Sequence, residues 1–266
     1  MSQSVPTHEQ VGYVFDEWRT SVGRERQERY HQGAEIDDSL YRDFADPSIL
    51  ANDCLHGARP KDDLGATRLH YGARLRQAAP IRSDQELLVR AEVASVAPVR
   101  RGRLITIAFA FVDTDGGVPV RIDHQSLIVD ADDAKAGAAG QGKSTAPDDR
   151  AFVSLARKQM TPRGVRQFSH EFPHLRSHHE PEAAAAIGMR APIAQGLMSL
   201  TNMLEQLSLE GPPRAVDIAV RFLRPIFWDE EIDIQGHRQG GRLSALRCLK
   251  PDGKVASTGT IEQLVY

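Results

Sequence analysis

The sequence contains little cysteine, little net charge and no long hydrophobic run, and each absence excludes a class of protein. Two cysteines, Cys54 and Cys248, are too few for a disulfide framework, so we expect a reducing, cytoplasmic location. The formal net charge of −3 argues against the basic face of a nucleic-acid-binding protein. No apolar run approaches the roughly 18 residues that span a bilayer, and the first ten residues lack the apolar stretch of a signal peptide. We therefore expect neither a nucleic-acid partner nor a membrane partner.

Hydrophobic residues make up 41% of the 266 residues and charged residues 26%. That balance predicts a packed globular core rather than a disordered chain. The length suits one large domain or two of ordinary size.

Two stretches of the chain repeat one order of strands and turns. The first extends over residues 73–129 and the second over residues 219–265. Each has a strand, a Pro-Ile bend, a strand, a Gly-Arg turn, a strand, an Asp-Gly turn and a last strand. Glycine at these turns supplies a positive φ without steric cost, as tight hairpins require. The alternation of apolar and polar residues indicates sheets with one buried and one solvated face.

The segment between the two copies has the composition of a linker. Residues 131–149 are rich in Ala, Gly, Asp and Lys and show no hydrophobic period. We therefore predict an N-terminal unit over residues 1–130, a linker over 131–149 and a C-terminal unit over 150–266.

Helix signals precede the strands of each unit. Residues 37–45 begin with a good N-cap and an acidic first turn. Pro181 stands where proline is tolerated at a helix start, and Gly188 ends that short helix. A second helix is predicted from about Gly196 to Leu209, with a buried stripe formed by Leu197, Leu200, Thr201, Leu204 and Leu207. The order predicts a long buried helix wrapped by an antiparallel sheet, twice over.

Two chemical parts lie close together in the C-terminal unit. His178 carries a side chain that titrates near neutral pH and can serve as an acid or base. The backbone N–H of Gly196, or of Leu197, begins a helix and can stabilise an oxyanion. These are parts that an enzyme needs when a carbonyl becomes anionic.

This segment resembles the hydratase motif of the MaoC-like proteins, which are hot-dog-fold (R)-specific enoyl-CoA hydratases and 3-hydroxyacyl dehydratases. The positions that match are His178, Pro181-Glu182, Ala184, Gly188-Met189, Pro192-Ile193-Ala194 and Gly196-Leu197. The stretch over residues 221–227 also resembles the strand that follows the hot-dog helix in that family. Because the repeat agrees, the resemblance covers most of the chain and implies an α+β, tandem (double) hot-dog fold.

The resemblance implies an enzyme that adds or removes water at the α,β position of an acyl thioester. The thioester would be a 2-enoyl or 3-hydroxyacyl group on coenzyme A or on an acyl-carrier protein, with no metal and no cofactor. It implies His178 as the acid or base and the N–H of Gly196 as the oxyanion donor. It also implies that the N-terminal unit widens the acyl groove. As a protein partner, we expect a second copy of the chain in a homodimer.

The motif departs from the family pattern at the positions that assist the histidine. The family has an aspartate five residues before it and an asparagine between them, where this chain has Pro173 and Leu175. The family often has a histidine before the oxyanion-hole glycine, and this chain has Gln195 at that position. Glu171 and Glu180 are the nearby candidates for a replacement carboxylate. The residues expected to bind the substrate are Gln195, Leu197, Ser199 and Met189.

These departures leave other interpretations open. The same groove could serve a cyclase or thioesterase of secondary metabolism, or a non-catalytic acyl-thioester-binding subunit. Glu180 could be no more than a helix-start charge, Gly196 could be glycine for close packing, and Gln195 and Ser199 could only fill the pocket lip.

Two further patterns suggest other chemistry. Residues 170–174 read His-Glu-Phe-Pro-His, which matches the H-E-x-x-H zinc motif. That motif needs both histidines on one helix, and Pro173 would break such a helix. Cys54 and His56 offer a nucleophile and a base, although nothing in the sequence orients the pair. We expect neither a metal site nor a cysteine nucleophile.

Overall fold

The computed structural model describes residues 8–57, 67–129 and 151–266, so the predicted linker at 131–149 lies outside the described residues. Ten strands are described: β1 (Trp18–Thr20), β2 (Thr67–Gln77), β3 (Leu87–Val99), β4 (Gly102–Val112), β5 (Val120–Val129), β6 (Val153–Gln159), β7 (Ala215–Phe222), β8 (Glu231–Gln239), β9 (Arg242–Leu249) and β10 (Val255–Val265). Five α-helices accompany them: α1 (Arg24–Ala34), α2 (Leu50–Gly57), α3 (Pro162–Phe168), α4 (Pro181–Ala186) and α5 (Gly196–Ser208). No helix of the described part is long and apolar enough to cross a membrane.

All ten strands form one antiparallel sheet in the order β1-β3-β4-β5-β2-β7-β10-β9-β8-β6. The first five belong to the N-terminal unit and the last five to the C-terminal unit. The units join where β2 pairs with β7, from Gly72 opposite Arg221 to Gln77 opposite Val216. The strand order on one side of this seam mirrors the order on the other, as a repeated sequence should produce. The predicted tandem hot-dog fold is confirmed.

The predicted turns occupy the expected places. Gly116 (φ 82°) and Gly253 (φ 75°) stand in the last hairpin of each unit, and Gly240 and Gly241 (φ 59° and 81°) join β8 to β9. These left-handed conformations are where glycine is favoured over residues with a side chain.

The helix of the C-terminal unit agrees with the prediction. Helix α5 is buried against the sheet, and all five residues of the predicted stripe are buried. The helix at Pro181 is also confirmed as α4, which ends before Gly188 (φ 77°).

The helix of the N-terminal unit lies elsewhere than predicted. Asp37 does cap a helical turn, because its side chain accepts a hydrogen bond from Ser39 N at 2.9 Å. That turn is a 3-10 helix of three residues, Asp38–Leu40, and the left-handed Arg42 (φ 53°) prevents its continuation. The prediction of a longer helix over residues 37–45 was wrong. The helix that corresponds to α5 in this unit is α2, which begins at Leu50 directly after the 3-10 turn Pro47–Ile49.

Helices α1 and α3 cross between the two units at a pair of glycines. A Cβ at Gly33 would lie 2.7 Å from Phe168 N, and a Cβ at Gly164 would lie 2.7 Å from Gly33 O. Only glycine permits this approach of the two backbones. The crossing holds the segment that follows α3 against the N-terminal unit, which positions Glu171 beside α1.

Candidate functional site

The start of helix α5 presents backbone N–H groups without acceptors of their own helix. Gln195 is the N-cap residue, with extended backbone angles (φ −62°, ψ 143°) and no hydrogen bond from its side chain to the helix. Met198 N donates to Gln195 O at 3.0 Å. The N–H groups of Gly196 and Leu197 precede it and have no intrahelical acceptor, as at every helix start. The positive end of the helix dipole coincides with these two donors.

Gln195 is itself a buried polar residue at this helix start. Its side chain is only 4% exposed, and within the described part of the chain neither its Oε1 nor its Nε2 has a hydrogen-bond partner. Leaving such an amide unsatisfied costs about 1–3 kcal/mol per group, so the Gln195 amide is a candidate contact for water or a ligand. The amide can accept from a water molecule and donate to a carbonyl oxygen.

The side chain of His178 contacts the chain segment that leads into the same helix start. It ends the 3-10 turn Arg176–His178, and its Nδ1 lies 2.7 Å from the carbonyl oxygen of Ile193. Ile193 N in turn donates to Ser177 O at 3.2 Å. Since a carbonyl only accepts, Nδ1 must carry the hydrogen, and in the neutral ring Nε2 carries the lone pair. The backbone of the helix entrance therefore sets the tautomer of His178.

Gly196 is glycine for a steric reason. A Cβ at this position would lie 2.9–3.0 Å from three carbons of the Phe222 ring. The ring of Phe222, at the end of β7, thus packs directly on the helix start. The close-packing interpretation of Gly196 leaves an oxyanion role open, because the steric contact concerns an added Cβ and not the N–H.

The N-terminal unit contains a counterpart of this helix start. Ala45 N donates to Ile81 O at 2.9 Å and Ala194 N to Ile226 O at 2.8 Å, which makes Asp46 the counterpart of Gln195. The carboxylate of Asp46, however, accepts a hydrogen bond from Ser48 N at 2.8 Å. The N-terminal helix start is therefore filled by the protein's own anion.

A histidine balances that buried carboxylate. His31 Nε2 lies 3.1 Å from Asp46 Oδ2, and its Nδ1 contacts Asp38. Burial alone would lower the pKa of His31, but the hydrogen bonds and charges of Asp46 and Asp38 outweigh it and raise the pKa. The carboxylates of Asp38 and Asp46, one at each ring nitrogen, thus favour the protonated form of His31.

The two candidate carboxylates occupy different environments, and each is held by an arginine. Glu180 lies on the surface and accepts from Arg176 Nε at 2.8 Å, which lowers the pKa of Glu180. Glu171 is mostly buried and accepts two hydrogen bonds from Arg26, at 2.7 and 3.0 Å. Although burial opposes it, hydrogen bonds with His56 and Arg26 hold the pKa of Glu171 well below its usual range. Both carboxylates are thus ionised and weak as bases.

The remaining predicted substrate-binding residues differ in burial. Leu197 and Ser199 are buried on α5, and Ser199 lies beside the thiol of Cys248 on β9. Met189 is half-buried, and its N–H donates to Ala184 O at 3.0 Å. Ser199 therefore faces the sheet of its own unit.

The two competing patterns do not form sites. Residues 170–174 fold as turns after α3 ends at Phe168, so His170 and His174 do not share a helix. Among the described residues no group of three potential ligands could hold a metal ion. The Cys54 thiol is fully buried and donates to Leu50 O at 3.6 Å, and burial raises its pKa well above the usual value, which makes it a poor nucleophile.

The structure also brings together residues that no motif in the sequence connects. Arg26 binds Glu171 across a separation of 145 residues, and its Nη1 lies 3.1 Å from Asp53 Oδ2. His56 lies 3.4 Å from the other oxygen of Glu171. These partners belong to different units, so a local pattern could not have revealed them.

No family model matches the chain, and no curated protein sequence matches it significantly. Solved structures of low sequence identity do match its fold. HtdX of Mycobacterium tuberculosis is 16% identical, with 92% of this chain and 99% of that chain covered and a TM-score of 0.73. A MaoC-like dehydratase from Phytophthora capsici is 17% identical, with 96% and 98% covered and a TM-score of 0.69. An acyl-ACP thioesterase from Bacteroides thetaiotaomicron is 9% identical, with 93% and 96% covered and a TM-score of 0.59. The chain has the tandem hot-dog fold of the MaoC-like dehydratases.

Proposed function

We propose that the protein is a hydratase or dehydratase that adds or removes water at the α,β position of an acyl thioester. The observation that carries the proposal is the hydrogen bond from His178 Nδ1 to the carbonyl of Ile193, three residues before Gly196. It joins an imidazole with a defined basic nitrogen to a helix start with two N–H donors. The fold shared with MaoC-like dehydratases supports the same assignment.

In the hydration direction, the thioester carbonyl of a 2-enoyl substrate accepts from the N–H of Gly196 or Leu197. His178 Nε2 removes a proton from water, and the hydroxide bonds to C3 while the electrons of the double bond move towards the carbonyl. The helix-start donors stabilise the negative charge that develops on the enolate oxygen. In comparable enzymes one such donor is worth about 3–4 kcal/mol. A proton added to Cα completes the 3-hydroxyacyl thioester.

The buried amide of Gln195 has a role in this scheme. Its Nε2 donates to the thioester oxygen or its Oε1 accepts from the attacking water, which satisfies groups that otherwise lack partners. Ser199, Leu197 and Met189 remain proposed contacts of the acyl group. The helix start of the N-terminal unit supplies no oxyanion donor in this scheme, because Asp46 fills it, and the unit is proposed to widen the acyl groove.

The experiment measures hydration of crotonyl-CoA and dehydration of 3-hydroxyacyl thioesters over a panel of chain lengths, on coenzyme A and on a carrier protein. We expect activity in the wild type and a loss of roughly 10²–10⁴-fold in His178→Asn. Asparagine keeps an N–H donor for the Ile193 carbonyl but has no basic nitrogen. The matched control is His179→Asn, since His179 also bonds a backbone carbonyl, that of Phe172 at 3.2 Å.

A wild-type protein that is inactive on the whole panel contradicts the proposal. Equal activities of the two asparagine variants contradict the assignment of His178. A protein that binds acyl thioesters equally well with or without His178, and turns none over, is instead the binding subunit that the sequence also allows.

Hydrolysis of the thioester is the second candidate function, because an acyl-ACP thioesterase shares the tandem fold over 96% of that protein's chain. The same helix-start donors would then stabilise the tetrahedral oxyanion formed when water attacks the carbonyl carbon. Release of free thiol, or of a cyclised product, without a mass change of one water would favour this class. A homodimer and a cytoplasmic location stay predictions, and the molar mass in solution tests the first.

A further inference from the structure

A cluster of charged and aromatic side chains lies between the two units, on the segment that leads to His178. Arg26 on α1 holds Glu171 by two hydrogen bonds, and Asp53 on α2 holds Arg26 at 3.1 Å. Thr20 fixes the second oxygen of Asp53 at 2.8 Å. The side chains of Arg26, Asp53 and Glu171 are 10–19% exposed. Burying such an ion network costs desolvation free energy, which can exceed the attraction between the ions. Stability alone therefore does not account for the network, and perturbed charges of this kind often lie at functional sites.

The histidine of this cluster is both oriented and accessible. His56 Nε2 lies 3.4 Å from Glu171 Oε2, and the side chain of His56 is 44% exposed. Its ring stacks on Phe172 with a centroid distance of 4.3 Å and an interplanar angle of 19°. When Nε2 donates to this carboxylate, which can only accept, Nδ1 carries the lone pair of the neutral ring. A carboxylate that orients an imidazole ring is an arrangement used for general base catalysis.

The same turn supports both His56 and His178. The carbonyl of Phe172 accepts from Leu175 N at 3.0 Å and from His179 Nε2 at 3.2 Å. The carbonyl of Leu175 accepts from His178 N at 2.9 Å. Stacking on Phe172 therefore attaches the His56 ring to the turn that carries His178.

We propose that His56 is a second acid–base residue of the reaction, oriented by Glu171, and that it carries the α-proton while His178 carries the proton of water. This inference rests on the proposed function. It explains how a chain with Pro173 in place of the aspartate has two proton-transfer groups. Glu171 is then a positioning residue that acts through His56.

Dehydration then needs one proton transfer at each histidine. The Cα–H bond breaks and its proton moves to Nδ1 of His56, while the electron pair forms the α,β double bond. The C3–O bond breaks, and the leaving hydroxide takes a proton from Nε2 of His178 to depart as water. The proton on His56 returns to solvent and His178 is reprotonated from solvent, so no other reactant is consumed.

The main test compares His56→Asn with His170→Asn. His170 is the matched control, because its Nε2 lies 3.8 Å from the other oxygen of Glu171 while its Nδ1 bonds Gln167 O at 2.9 Å. For crotonyl-CoA hydration we expect kcat of His56→Asn to fall roughly 10²–10⁴-fold with little change of KM, and His170→Asn to stay within a few-fold of wild type. Added imidazole should restore part of the activity of His56→Ala, which a purely structural role would not allow.

A second measurement follows the α-proton directly. In heavy water the wild type should exchange the α-hydrogens of butyryl-CoA, which has no hydroxyl group to lose. His178→Asn should retain this exchange and His56→Asn should lose it, as measured by mass spectrometry. The reverse pattern overturns the inference.

These measurements distinguish a failure of the His56 inference from a failure of the proposed function. If the wild type hydrates crotonyl-CoA and His178→Asn does not, but His56→Asn matches His170→Asn, this inference is wrong and the proposed function stands. If the wild type is inactive on every thioester, both fail. Glu171→Gln should lower kcat as His56→Asn does; if that variant does not fold, the two His56 variants alone decide the outcome.

Discussion

The carboxylate of Asp46 caps the backbone N–H of Ser48 at 2.8 Å, whereas the counterpart of Asp46 in the other unit, Gln195, caps nothing. One helix start is thus closed by an anion of the chain, whereas the side chain at the other forms no cap. A buried histidine, His31, compensates the charge of Asp46. The two helix starts therefore differ at the N-cap residue, which is an aspartate that caps in one unit and a glutamine that does not in the other.

Installing the same anion in the C-terminal unit should close its site. In Gln195→Asp, the new carboxylate would accept from the N–H groups at the start of α5, as Asp46 does in the other unit. We expect the activity to fall by roughly 10²-fold or more, since an oxyanion can no longer use these donors. Gln195→Ala should lose less activity because it leaves the donors uncovered. Steady-state rates on crotonyl-CoA test this, and equal rates for the two variants would contradict it.

Gly196→Ala should be destabilising although alanine favours helices. Its Cβ would lie about 3 Å from the Phe222 ring, and overpacking of this kind costs about 1–3 kcal/mol. Phe222→Leu removes the ring, so the double variant should lose less stability than the sum of the two single variants. Urea unfolding of the four proteins gives the coupling, and strict additivity would show that the ring is not the obstacle.

The stability of the protein should depend on pH through His31. The pKa of His31 is raised in the folded protein by Asp46 and Asp38, despite burial. The stabilisation is therefore complete below the unfolded pKa of about 6.5 and is lost as pH rises through the folded value. Between pH 6.5 and 8 we expect the free energy of unfolding to fall more steeply in the wild type than in His31→Gln. Parallel pH curves would assign the dependence to other groups.

A second buried ion pair anchors helix α5 to β6. Lys158 Nζ lies 2.8 Å from Glu205 Oε1, with both side chains about nine-tenths buried, and also donates to Glu35 O at 2.6 Å. Lys158→Met should cost about 3–5 kcal/mol, because it leaves the buried Glu205 carboxylate without its cation and with only the hydrogen bond from Gln206 Nε2 at 3.2 Å. Lys158→Met combined with Glu205→Leu should recover much of that loss. Chemical denaturation measures both, and no recovery would show that the Glu35 bond dominates.

The sequence could predict the proximity of His178 and Gly196 but not the contacts of Glu171. His178 and Gly196 lie within one short segment, so local spacing sufficed to bring them to one helix start. The contacts of Glu171 with Arg26 and His56 depend on the crossing of α1 and α3, which no local pattern encodes. The helix of the N-terminal unit was misplaced for a related reason: the cap at Asp37 was correctly identified, but Arg42 turns the backbone away from the helix.

The sequence by itself determined the repeated order of strands, the glycine turns and the buried helix of the C-terminal unit. These features depend on φ preferences and on hydrophobic periods of a few residues, which are properties of neighbouring positions. Only the tertiary structure decided which helix start is open and which carboxylate meets which histidine. Those choices depend on how the two units pack across the β2–β7 seam and the α1–α3 crossing, where burial forces each charge to find a partner distant in sequence.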